Sequence, residues 1–141
     1  MASIRKEIVL NATPEHVWAA LRDVGAVHTR LAREFVTDTR LDGDSRLVTF
    51  ANGEVVRERI VDIDDEARRL AYAAVDWRTS HHNASFQAVP DGKGRCRLVW
   101  ITDLLPDSLA ALVGGFVEQG CVAIKHTLET STPQYAVESR P

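Results

Sequence analysis

Apolar positions recur along this chain with two different periods, and the longest run has the helical one. In residues 106–129, PDSLAALVGGFVEQGCVAIKHTLE, Leu109, Leu112, Val113, Phe116, Val117, Gly120, Cys121, Ile124 and Leu128 fall on one broad stripe. Glu118, Lys125 and Glu129 gather on the opposite side. The spacing predicts a helix of about six turns, started by Asp107 or Ser108 as a cap, with one face covered and one wet. Gly114 and Gly115 interrupt its middle, and Gly120 removes a side chain from the stripe itself. Two readings stand: a kink or close approach to a strand, or empty volume left under the helix.

Ahead of that helix the period is mostly two. Residues 3–11 alternate weakly, Ile4, Ile8 and Leu10 against Arg5, Glu7 and Val9, and read as a strand. A helix follows from Thr13, a good N-cap, with Pro14 at the first helical position, where its missing N–H costs nothing. Val17, Trp18, Leu21 and Val24 share one face of it, Trp18 as a core or cap residue, and Gly25 is a natural stop. A second short helix is expected at about 27–33. From residue 34 alternation returns, and strands are predicted to about 41, then over 46–50, 54–62, 69–75, 81–89 and 95–104. Asp42-Gly43, Asn52-Gly53, residues 64–67 and Asp91-Gly92 mark tight turns between most of them. Residues 130–141 are polar, lack a period and are expected to form a loose tail. One strand, one or two small helices, about six hairpin-linked strands and a long helix make an α+β fold. A curved antiparallel sheet wraps one helix in a single domain over residues 1–130.

Composition changes this picture little. The 141 residues suffice for one core. A net charge of −3 with interspersed signs gives no basic stripe for nucleic acid. No apolar run approaches the ~20 residues that cross a bilayer, so no membrane insertion is expected. MASIRKEIVL carries charges where a leader would be apolar, which makes a cytoplasmic location the default. Cys96 and Cys121 lack ligand spacing and read as buried, reduced and structural. No zinc, haem or nucleotide motif is present, so neither metal nor cofactor is expected.

The informative positions are polar residues in the inward phase. In 54–62, Arg57 and Arg59 share a phase, and arginines rarely face a core. That turns Val56, Glu58 and Ile60 inward, and Glu58 then needs a basic partner, water or a neutral form. It is either half of a salt bridge or part of a pocket. In 81–89 the inward set is His82, Ala84, Phe86 and Ala88, with His82 near an open end, as a satisfied core residue or a functional one. Tyr72 follows Leu70 inward on its strand, and Trp100 points in from the last one. Each is a large apolar body with one polar atom, suited to an amphipathic ligand or to plain packing. With Phe116 and Gly120 on the facing helix, these residues have the makeup of a small-molecule site.

The order of elements and three local runs resemble the START-like, helix-grip (SRPBCC) superfamily, and within it the polyketide cyclase/dehydrase and lipid-transport family. The runs are ATPEHVW at 12–18, GEVVRERIVDIDDEARRLAY at 53–72, and RLVWITDLLP at 97–106 followed by IKHTLE. The resemblance implies seven antiparallel strands and two small helices. With the long C-terminal helix they enclose a hydrophobic cavity. In the related plant abscisic-acid receptors, the glutamate matching Glu58 lines the ligand pocket. Many relatives carry tyrosine where this chain has His82, and the receptors' gate-loop sequence is not visible around Ala51 to Gly53.

Three functions follow. The favoured one is binding of a small hydrophobic or amphipathic molecule, a lipid, isoprenoid or polyketide, through Glu58, Tyr72, His82, Phe86, Trp100, Phe116 and Gly120. The second is a polyketide cyclase/aromatase or dehydratase with Glu58 and His82 as acid–base pair, which requires the two within about 3 Å or one water of each other. The third is a protein-interaction module whose interior is filled.

Overall fold

A computed structural model of the chain describes residues 2–131. Seven strands form one antiparallel sheet in the order β1-β7-β6-β5-β4-β3-β2. They are β1 (Ala2–Leu10), β2 (Val36–Asp42), β3 (Ser45–Phe50), β4 (Val55–Asp64), β5 (Arg69–Val75), β6 (His81–Pro90) and β7 (Cys96–Leu105). Helix α1 (Pro14–Arg22) follows β1, and helix α2 (Ala110–Thr130) closes the described chain. The α+β architecture is the expected one: an open curved sheet with a long helix laid across its concave face.

Local chemistry explains the small elements. Thr13 caps α1, its side-chain oxygen accepting the His16 N–H at 3.1 Å, and Pro14 opens the first turn. Trp18 and Leu21 are buried, and the Trp18 indole N–H donates to Asp65 in the β4–β5 turn at 2.9 Å. The second small helix is shorter than expected, a single π turn over Val27–Leu31 that buries Val27 and Leu31. Glu34 then takes a left-handed φ of 74°, turning the chain into β2. At the β3–β4 hairpin Gly53 holds a φ of 91°, a conformation that costs glycine little.

The start of α2 differs from expectation. Neither Asp107 nor Ser108 is its N-cap: Asp107–Leu109 forms a 3₁₀ turn, and Leu109 precedes the helix without a side-chain cap bond. At the other end the Ser131 N–H reaches Thr127 O at 3.1 Å. The expected loose tail lies, from residue 132 on, outside the described residues. Contrary to the expectation from apolar runs, the Asp107–Thr130 segment is long and apolar enough to cross a membrane by length and composition. In the fold it lies on the sheet instead, burying Val113, Val117, Gly120, Ile124, Thr127 and Leu128 while Glu118, Lys125 and Glu129 stay outside.

The core is uneven. Leu10, Leu21, Leu70, Leu98, Ile124 and Leu128 pack one end solidly, between α1, the last turns of α2 and the sheet. A smaller group, Leu104, Val113 and Val117, packs under the first half of α2. Cys96 is buried and Cys121 only half-buried. Both are free thiols, and burial pushes Cys96 up to about 11.

Candidate functional site

The inward phases of β4 to β7 are those the alternation predicts. Val56, Glu58, Tyr72, Ala74, Ala84, Phe86, Cys96, Leu98 and Thr102 are buried, while His82 and Trp100 are partly so. Between this concave face and the first turns of α2 lies a cavity of about 110 Å³. Glu58, Tyr72, His82, Trp100 and Phe116 line it. Its rim includes the exposed Ala51 and Asn52 of the β3–β4 turn and Gln119 of α2.

Glu58 is 9% exposed and has its partner one strand away. Arg46 sits directly across the β3–β4 hairpin from it, and the Arg46 Nε–H donates to Glu58 Oε1 at 2.8 Å. Arg46 itself is 2% exposed, donates weakly to Val24 O at 3.4 Å, and holds its guanidinium over the Tyr72 ring, 5.2 Å from the centroid. It does not line the cavity. Arginines rarely face a core, so alternation along β3 alone gives no sign of Arg46. A hairpin centred on Asn52 pairs positions 46 and 58, so the turn itself carried the signal.

Tyr72, Phe86 and Trp100 form a stacked row across three adjacent strands, with ring centroids 6.1 and 4.5 Å apart. Burial, then the nearby Glu58 charge, push the Tyr72 hydroxyl well above the usual phenol range, so it stays protonated. The Trp100 indole N–H lies close enough to that hydroxyl to offset the shift slightly, yet meets no acceptor in hydrogen-bonding geometry. Phe86 backs the row without lining the cavity, and so does Gly120. A Cβ on Gly120 would stand 2.9 Å from Trp100 Cη2 and Cζ3, so this glycine marks a close approach, not a void. The hollow lies one turn earlier, beneath Val113, Phe116 and Val117.

His82 is held below the usual imidazole range, chiefly by burial and secondarily by neighbouring His81, and is neutral at pH 7. Its Nδ1 is buried without a partner, as is Trp77 Nε1 in the β5–β6 loop. Trp77 lies 6.3 Å from both the His82 and Phe116 rings and also lines the cavity; no periodicity marked it in the sequence. Among the described residues His82 makes no hydrogen bond or ion pair with Glu58. Glu58 pairs with Ala74, and the β5–β6 register carried one residue beyond Ala73↔Asn83 sets Ala74 beside His82. Two strand spacings, roughly 10 Å between Cα atoms, therefore separate the two groups.

A curved antiparallel sheet gripping one helix, with a lined hollow between them, defines the START-like, helix-grip class. The family described as polyketide cyclase / dehydrase and lipid transport matches residues 1–129, and the chain belongs to it. Among solved structures, an uncharacterized protein from Bacillus thuringiensis is 18% identical with a TM-score of 0.80, covering 90% of this chain and 98% of its own. A START superfamily protein from Mycobacterium smegmatis is 13% identical with a TM-score of 0.77, covering 92% and 99%. Norcoclaurine synthase from Thalictrum flavum, in complex with a transition-state analogue, is 20% identical with a TM-score of 0.68, covering 90% and 93%. These likenesses are of fold. Among curated proteins none matches the sequence.

Proposed function

We propose that this chain binds a small, mostly apolar molecule between the sheet and α2, with the molecule's polar end at Glu58. The observation that carries the reading is a hollow faced by a buried carboxylate whose charge is balanced from behind by Arg46. Balancing keeps the buried charge tolerable while leaving the cavity side of Glu58 for a guest. Family membership supports a ligand-binding role of this kind. A hollow of about 110 Å³ suits one ring or a short chain. A lipid or polyketide of greater length would extend through the rim between Ala51-Asn52 and Gln119. Tyr72, His82, Trp100 and Phe116 would make the walls, with Phe86 and Gly120 shaping them from behind.

The cyclase/aromatase or dehydratase reading draws on the family description, but its acid–base pair is two strands apart, so a substrate would have to span both groups. The filled-interior module is disfavoured by the hollow. Native mass spectrometry of protein purified from its own host tests the proposal. A retained small molecule, released on unfolding and lost in Glu58→Gln, is expected. Empty protein that also takes up no apolar probe overturns it, and turnover abolished by both Glu58→Gln and His82→Ala would favour the enzyme.

A further inference from the structure

The charged side chains that face the hollow are of one sign. Glu54, just ahead of β4, shares the inward phase with Val56 and Glu58, and all three line the cavity. The two carboxylates are roughly 13 Å apart along the strand, Glu54 towards the rim and Glu58 deeper. Among the described residues no lysine or arginine lines the cavity. Arg46 reaches Glu58 from β3, and the half-exposed Arg78 pairs with Glu54 from outside. Arg46 occupies only Oε1 of Glu58. Oε2 has no hydrogen-bond partner among the described residues and, unlike the enclosed Trp77 and Trp100 indole nitrogens, keeps surface that a guest can reach. Phe35, Phe50, Trp77 and Phe116 supply aromatic wall, and ring faces are partly negative.

Low-dielectric walls carrying one sign of charge focus their field on whatever enters. A carboxylate guest meets two carboxylates and no cation. A hydroxyl can donate to Oε2, but as a neutral group. An ammonium makes the same bond with charge added. It would stand roughly 3 Å from Oε2 and about twice as far from the guanidinium on the other oxygen, so attraction exceeds repulsion about twofold. Resting on the binding reading above, we propose that the cavity selects a cationic guest, a primary or secondary ammonium on a small aromatic or apolar body, and refuses carboxylates of the same shape. The ammonium sits on Glu58 Oε2, and Glu54 draws it in at the rim.

Four probes of one size test it: benzylamine, benzyl alcohol, ethylbenzene and benzoate, titrated into the full chain and followed by ¹H–¹⁵N NMR. The Trp77 indole signal reports on the cavity, and that of Trp18, bonded to Asp65 at 2.9 Å, is the control. Benzylamine is expected to bind about tenfold tighter than benzyl alcohol and to move Trp77 but not Trp18, with benzoate the weakest of the four. Glu54→Gln, at a side chain 23% exposed, should weaken benzylamine about threefold and leave ethylbenzene unchanged. Because Glu58→Gln alone strands Arg46, the deep carboxylate is removed in the double variant Arg46→Met with Glu58→Leu, whose fold its own spectrum checks. There benzylamine should bind no tighter than ethylbenzene. Three results overturn the ammonium rule while leaving a binding protein: benzylamine no tighter than the alcohol, benzoate as tight as benzylamine, or a preference that survives in the double variant. Benzylamine shifts confined to Trp18 would be ordinary surface pairing and overturn it too. If none of the four moves the cavity signals at millimolar concentration, the binding reading falls and this rule with it.

Discussion

Exchange of Arg46 for methionine should be among the most damaging single changes in this chain that leave its core volume nearly intact. The Arg46 and Glu58 side chains are 3% and 11% exposed and meet at 2.8 Å. At an effective dielectric of about 20, their attraction is about 4 kcal/mol at 4 Å. Removing one partner also strands the other charge, and for buried pairs the loss is about 3–5 kcal/mol. Because Glu58 borders the cavity, where water reaches, the lower half of that range is expected for Arg46→Met. Glu58→Gln keeps an oxygen for Arg46 to donate to but strands its more deeply buried guanidinium, so a loss of about 3 kcal/mol is expected there too. The double variant Arg46→Met with Glu58→Leu should fall within about 2 kcal/mol of the parent, because no charge is left buried. Urea unfolding followed by tryptophan fluorescence, with slopes compared across the set, measures all of them. Strict additivity, or a cost below about 1 kcal/mol for Arg46→Met, would mean that the pair is solvated and that Glu58 does not face an enclosed hollow.

Four other outcomes follow from the geometry. Gly120→Ala should destabilise by about 1–2 kcal/mol net, overpacking against Trp100 outweighing the helix preference for alanine. Gly115→Ala has nothing within 4 Å and should stabilise by about 0.5–1 kcal/mol in the same urea assay. Thr13→Ala should cost about 1 kcal/mol by removing the cap on His16 N–H. His16 and His82 are both held below the ordinary imidazole value of 6.5, chiefly by burial. The unfolded chain therefore takes up more protons than the folded one as pH falls below about 6.5, and stability should drop between pH 7 and 5. His82→Leu should flatten that slope in urea midpoints measured across the window. An unchanged slope would place His82 in water.

Most of the site was legible because the sheet is apolar on one side only. Along β4 to β7 the two phases differ enough that Glu58, Tyr72, His82 and Trp100 could be turned inward from alternation alone. The pattern failed where something other than burial set it. A bulge between Val36 and Asp38 breaks the phase of β2, so that Val36 and Thr39 are both buried. Arg46 is inward because a carboxylate awaits it across the hairpin, a pairing that no single strand displays. Gly120 could mean a void or a contact, and only the position of Trp100 on another strand decides between them. Trp77 lies in a loop entered at Asp76, whose φ of 57° is left-handed, and loops carry no period.

The lopsided interior has a consequence for how such a chain can change over time. The packed end, where Leu10, Leu70, Leu98 and Leu128 are almost wholly enclosed, carries the cooperative stability of the molecule. The opposite end is partly vacant and contributes less to it. Substitutions among the residues around the vacancy can therefore accumulate without unfolding the scaffold, so long as the leucine-rich end is kept. A shared architecture at 13–20% identity is what such a separation permits.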